Sequence, residues 1–128
     1  DFEIPLAVLD KTHVGRTIQG NMVVGDVTGR DVIFLDDMIS SAKTMREARK
    51  AVVAAGGKPW GACATHGLFV GSCAENLAEF ERVIITDTIN RPLEGPAKDK
   101  LKVICTAKLV GQAIRRIHEE DSISDLLA

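Results

Sequence analysis

The sequence predicts an α/β fold, a parallel β-sheet flanked by helices, and three observations carry that prediction. From Asp31 onward, strand-like and helix-like segments alternate, the pattern a parallel sheet with crossover helices requires. Val32-Ile33-Phe34-Leu35 is continuously apolar, as a strand covered on both faces should be. Directly after it, Met45, Ala48, Ala51, Val52 and Ala55 recur at helical spacing, with Arg46, Glu47, Arg49 and Lys50 on the other side.

In chain order, residues 4–9 form the first strand candidate. Lys11 to Asn21 is polar, carries two glycines and has neither period, so it is expected to be a mobile loop. Residues 32–36 are the next strand, ending on Asp36-Asp37, and 44–55 the first helix, which Gly56-Gly57 stops. Strands follow at 60–65, 82–86 and 102–106, with a short helix at 72–80 between the first two. Ile89 to Lys100 holds two prolines and a glycine and reads as a surface excursion without chemistry. Leu109, Val110, Ala113, Ile114 and Ile117 form an amphipathic stripe near the end, leaving Arg115 and Arg116 on its solvated face. Trp60 is read as packing at a strand start.

At 128 residues the chain is one domain, residues 1–128, able to bury roughly two-thirds of its unfolded surface. A content of 45% apolar and 27% charged residues excludes disorder as the main state. Net charge is −2, which gives no electrostatic footprint for nucleic acid or an anionic membrane, so any anion site must be local and geometric. No apolar run approaches the ~20 residues of a membrane span and no signal-peptide pattern opens the chain, so a cytoplasmic location is expected. Cys63, Cys73 and Cys105 are odd in number and lack a C-x-x-C pair, so neither disulfides nor a zinc site are indicated. Cys63 and Cys105 lie in apolar runs and are expected to be buried and reduced.

The chemistry concentrates at Asp36-Asp37-Met38-Ile39-Ser40-Ser41-Ala42-Lys43-Thr44. Two carboxylates and then a small-residue loop feed a helix N-terminus, where free N–H groups and the positive end of the helix dipole can hold a phosphate. The plain alternative is that the acids end a strand and Ser40-Ser41 cap a helix. A nucleotide P-loop fails, because Asp37 and Ala42 stand where that motif has glycines. In parallel α/β folds ligands sit beyond the carboxyl ends of strands. Thr65-His66-Gly67 and Thr86-Asp87-Thr88 are expected to follow strand ends and could converge there with Asp36-Asp37. His66 is read first as structural support bonded to backbone, and second as a group that orients a phosphate or lies near a nucleotide.

These residues resemble the C-terminal half of ribose-phosphate pyrophosphokinases. Pro5-Leu6-Ala7-Val8-Leu9-Asp10-Lys11 is similar to that family's strand and catalytic-loop opening, and Val24 to Arg30 to its lead-in to the ribose-phosphate motif of Phe34 to Thr44. Ala64-Thr65-His66-Gly67-Leu68-Phe69, Thr86-Asp87-Thr88-Ile89, Ala113 to His118 and Ser122 to Leu127 follow in the family's order. The resemblance implies a type I phosphoribosyltransferase-like fold and transfer of pyrophosphate from ATP to ribose 5-phosphate with magnesium. It implies that Asp36 and Asp37 meet ribose hydroxyls and bound Mg2+, that Ser40, Ser41, Ala42, Lys43 and Thr44 hold the 5-phosphate, and that Lys11 is the catalytic cation. It also implies a homo-oligomer, and a first half that completes the ATP site and is absent here. With no initiator methionine, the chain reads as a fragment, expressed as a domain or cut from a longer protein, which should bind ribose 5-phosphate weakly and not turn over.

The pattern departs from the family at Ser40, Ala42 and Lys43, where a third acid and two glycines are common, and at Thr12 and His13, where arginines are common. Arg16 is a candidate substitute, and His13 reads as a solvated loop residue. Two other readings stay open: a non-catalytic regulatory homologue, and a phosphoribosyltransferase.

Overall fold

The computed structural model describes residues 4–14 and 17–126. Strands β1 (Val8–Val14) and β2 (Thr17–Val24) form an antiparallel pair with Val8 opposite Val24 and Leu9 opposite Val23. A tight turn follows, in which the Asp26 carboxylate accepts from Thr28 N at 3.0 Å. Then come β3 (Asp31–Ile39), α1 (Lys43–Ala54), β4 (Lys58–Gly67), α2 (Cys73–Leu77), β5 (Arg82–Thr86), β6 (Leu101–Ile104) and α3 (Ala107–His118).

The four later strands form a parallel sheet in sequence order, β3-β4-β5-β6. Its register sets Phe34, Ala62, Val83 and Leu101 side by side, and the next row on that face is Asp36, Ala64, Ile85 and Val103. Met45, Ala48 and Val52 of α1 and Cys73, Ala74 and Leu77 of α2 close over this face to make the core. Phe34 and Phe80 meet edge-to-face at 5.3 Å within it. A Cβ added at Gly57, after α1, would stand 2.7 Å from Val52 Cγ1 and 3.1 Å from the Val27 carbonyl oxygen, too close for either.

The α/β class is as the sequence predicts, with several corrections of detail. The 11–21 segment read as a loop is largely the β1–β2 ladder. A ribbon built by backbone pairing needs no apolar alternation, so the pattern could not reveal it. The first strand starts at Val8 rather than residue 4. Strand β3 is not covered on both faces: because the strands add in sequence order, α1 and α2 pack on one side, and Ile33 and Leu35 on the other are 52% and 81% exposed. The 89–100 excursion contributes Leu93 and Ala97 to the core and ends in a 3-10 turn at Lys98–Lys100. Lys100 Nζ donates to the carbonyls of Ala78 and, at 2.7 Å, Phe80. Trp60 is half-buried near the start of β4, in keeping with a packing role. Cys105 is exposed, Cys63 half-buried and Cys73 buried; all three are free. Burial pushes the Cys63 thiol up and Cys73 to about 11, so neither is a nucleophile poised near neutrality.

Helix α3 carries the expected stripe but buries none of its residues; Leu109, Val110, Ile114 and Ile117 are 47% to 65% exposed. Arg116 is not merely solvated. Its Nη1 donates to Ser122 O at 2.6 Å and the Asp125 carboxylate at 3.1 Å, folding the following segment back on the helix. No helix among the described residues is long and apolar enough to cross a membrane.

Candidate functional site

Asp36 and Asp37 lie within β3, which runs on to Ile39, and not beyond its end as the sequence reading had them. Successive strand residues face opposite ways. Asp36 therefore shares the helix-covered face with Phe34, and Asp37 the bare face with Leu35. The Asp36 carboxylate accepts from Asp37 N at 2.9 Å. Asp36 also lines a cleft of about 100 Å³ with Met38, Ile39, Ser40, Ser41, Ala42, Lys43, Thr44 and Met45. The structure thus gathers every predicted phosphate-loop residue together with one of the two acids, while Asp37 is not among the cleft's lining residues.

The loop's backbone is oriented by its outer contacts. The Ile39 carbonyl accepts from Leu68 N (2.8 Å) and Phe69 N (3.3 Å), and the Ser40 carbonyl from Val70 N at 3.1 Å. The Ser41 carbonyl accepts from Asn76 Nδ2 at 2.8 Å. The first bond of α1 runs from Arg46 N to Ala42 O at 3.0 Å. The N–H groups of Ser41, Ala42, Lys43, Thr44 and Met45 have no acceptor among the described residues. Neither serine caps the helix: the N-cap is Ala42, in the left-handed region at φ 56°, with no side-chain cap. That conformation costs a non-glycine residue about 1–2 kcal/mol, so the surrounding contacts must enforce it. Consecutive amides about a left-handed residue at a helix start form a concavity suited to an anion.

Beside the loop, β4 and β5 end in a second polar cluster. His66, paired in register with Met38, has Nδ1 at 2.8 Å from Thr88 Oγ1. Thr88 and Thr86 hydroxyls both donate to the Thr65 carbonyl, at 3.0 and 2.7 Å. Which of the two groups donates across the His66–Thr88 contact depends on the imidazole tautomer. His66 thus bonds to a hydroxyl and not to backbone. Thr65, His66 and Gly67 belong to β4 and close that strand instead of following it, whereas β5 ends at Thr86 and Asp87 and Thr88 follow it as expected. A Cβ on Gly67, the last residue of β4, would stand 2.7 Å from Ile85 Cδ1 and Phe69 Cζ, so a side chain there would have to displace those two side-chain ends.

Asp87 ties this end together: its Oδ1 accepts from Thr106 Oγ1 at 2.6 Å and Thr106 N at 2.8 Å. The Thr106 hydroxyl first, then the Cys105 thiol and the Thr106 amide, pull its carboxyl down to about 2 from an ordinary 3.8. A depressed carboxylate stabilises above its unfolded value and ceases to do so as pH falls through its folded one. Asp87→Ala is accordingly expected to unfold at lower urea than the parent at pH 7, with the gap closing between about pH 4 and pH 2. The effect is small, since the group is open to solvent. A gap independent of pH would separate the loss from the carboxylate's charge.

A family model described as a phosphoribosyl synthetase-associated domain matches residues 12–128. The chain belongs to that family. Among curated proteins, this family member is 40% identical over 122 residues to a ribose-phosphate pyrophosphokinase of Pasteurella multocida, covering 93% of the chain and 39% of that protein. It is 42% identical over 125 residues to one of Caldanaerobacter subterraneus, covering 95% of the chain and 39% of the relative. The crystal structure of phosphoribosylpyrophosphate synthetase from Mycobacterium smegmatis superposes with a TM-score of 0.74 at 34% identity, over 91% of this chain and 38% of that one. The chain therefore spans about two-fifths of the length of the proteins it matches, and it has the phosphoribosyltransferase-like fold that the resemblance implies.

The side chains of Lys11, Thr12 and His13, and Arg16 altogether, lie outside what is described. Sequence reasoning missed Asn76, the one buried polar residue among the described residues (3% exposed). Its signal was present: Asn76 stands beside Leu77 in the short apolar helix, where an unneeded polar group would be costly.

Proposed function

We propose that this domain supplies the ribose 5-phosphate site of a ribose-phosphate pyrophosphokinase. The observation that carries the reading is the run of unoccupied N–H donors from Ser41 to Met45, in a cleft shared with Asp36, within a chain of the synthetase family. Those amides and the Ser41 and Thr44 hydroxyls would hold the 5-phosphate through charge-assisted bonds. Lys43, exposed at the first position of α1, can add its ammonium from outside the loop. Asp36, which lines the same cleft, would accept from a ribose hydroxyl.

In the reaction, the 1-hydroxyl oxygen of the sugar bonds to the β-phosphorus of ATP, the bond from that phosphorus to the α–β bridging oxygen breaks, and AMP departs with the oxygen. The hydroxyl proton passes to solvent. Lys11 would neutralise charge on the transferred group. Asp36, the acid that lines the cleft, would suit Mg2+ as it is usually held, through one or two carboxylates plus substrate oxygens and waters, whereas Asp37 on the other face of β3 is not brought to the same cleft. Both are exposed, and among the described residues no cluster of three His, Cys, Asp or Glu side chains forms a protein cage. The ion would supply charge neutralisation. An ATP-binding half, a cytoplasmic setting and assembly into a homo-oligomer belong to the same proposal.

The test is direct. The protein carrying this domain, given ATP, magnesium and ribose 5-phosphate, should form AMP and phosphoribosyl pyrophosphate in equal amounts. Absence of AMP with ribose 5-phosphate binding intact would favour the regulatory homologue. Product formation only when a nucleobase and phosphoribosyl pyrophosphate are supplied would favour the phosphoribosyltransferase.

A further inference from the structure

The Ser41 carbonyl is the one oxygen of the loop held by a buried side chain, and that side chain has no freedom of its own. Asn76 Nδ2 donates to Ser41 O at 2.8 Å while Asn76 Oδ1 accepts from Arg46 Nη1 at 3.2 Å. A carbonyl can only accept and a guanidinium can only donate, so the two partners fix which end of the amide faces which. Nδ2 also approaches Ser72 Oγ at 3.4 Å, and Asn76 N donates to Ser72 O at 3.1 Å, tying Asn76 to the N-cap of α2.

The consequence follows from peptide geometry. In a trans peptide the C=O and N–H point in opposite directions, and no described peptide is cis. By drawing the Ser41 carbonyl toward α2, Asn76 turns the Ala42 N–H away from α2 and into the loop. The same grip keeps Ala42 at its positive φ, which alanine otherwise avoids. Arg46, bonded to the other end of the amide, lies on α1 one turn beyond the loop, so Asn76 fastens the loop and its helix to a single point.

We infer that Asn76 is a positioning residue for the phosphate loop, setting the Ser41–Ala42 peptide so that the Ala42 amide faces the anion. The inference rests on the phosphate reading of the loop, and its test separates the two.

Asn76→Asp keeps the volume and the acceptor for Arg46 but removes the donor to Ser41. Asn76→Leu removes both without adding charge. In each, the residual dipolar coupling of the Ala42 N–H should change while those of Ala48 and Val52 in α1 hold, and inorganic phosphate should bind about tenfold more weakly. In the unsubstituted protein, an Asn76 side-chain amide proton should exchange slowly and show scalar coupling to the Ser41 carbonyl; absence of both overturns the inference without any variant. An unchanged Ala42 coupling, or unchanged phosphate affinity where the parent binds, also overturns it. If the parent's amides from Ser41 to Met45 do not move with phosphate, the loop's phosphate reading fails, and Asn76's part in ligand binding falls with it.

Discussion

Replacing Lys11 with alanine is expected to lower kcat of the proposed synthetase by about 10³–10⁵, the range known for a mobile cation that stabilises a phosphoryl-transfer transition state. The expectation rests on where the chain carries this residue. Lys11 lies on β1 opposite Asn21 of β2, with the ladder's register shifting just beyond it. At the base of the ribbon, Leu9 and Val23 pack against the core, and β2 runs along α1, the helix headed by the proposed phosphate loop. A charge on this ribbon is therefore tied to the element that would hold the sugar phosphate. If Lys11 acts only on the charge that develops during transfer, kcat and kcat/KM should fall together and ribose 5-phosphate affinity should hold. Lys11→Arg should recover part of the rate, since it restores the charge on a different fork. Near-normal turnover in Lys11→Ala would remove the residue from the mechanism. A raised KM with kcat preserved would make it a binding residue instead.

What the sequence disclosed follows from which physical signals are local. The strand at 82–86 and the helix stripe of Met45, Ala48 and Val52 were legible because periodic burial writes itself into composition, and the structure has them at Arg82–Thr86 and in Lys43–Ala54. The junction at Ser40 to Thr44 was legible for a different reason, since its small residues stand between an apolar run and a helical stripe. Its mechanics were not. The left-handed Ala42 stands where glycine would be expected, and only the outer bonds to Ile39, Ser40 and Ser41 explain how alanine is held there. Those bonds come from residues 68–76, some thirty positions away, which no local pattern connects to the loop. Asp36 and Asp37 looked like one paired site, yet the pleat of β3 sends them to opposite faces, a fact that depended on where the strand ends. Periodicity marked the α3 stripe correctly but could not say what covers it.

The largest stability effect should come from Phe80→Ala. Phe80 is fully buried, meets Phe34 edge-to-face and sits where the turn after α2 enters β5. Deleting such a ring from a core typically costs about 3–5 kcal/mol, through lost burial and the cavity left behind. That is a large share of the roughly 5–15 kcal/mol that holds a domain folded. Ile114→Ala, of comparable chemistry but 63% exposed on α3, should change stability by no more than about 0.5 kcal/mol. Urea unfolding of the two variants checks both values, provided the slope stays that of the parent. The contrast carries more than either number. Phe34 and Phe80 share one cluster with Met45, Ala48 and Val52, so the core that Phe80 completes is also the seat of α1 and hence of the loop at its head. Phe80→Ala should therefore loosen the Ser41 to Met45 amides toward exchange at a denaturant level where Ile114→Ala leaves them unaffected. Should Ile114→Ala instead cost as much as Phe80→Ala, the α3 stripe would have to be buried in solution against a second surface, and the single-chain core would not be what holds the loop in place.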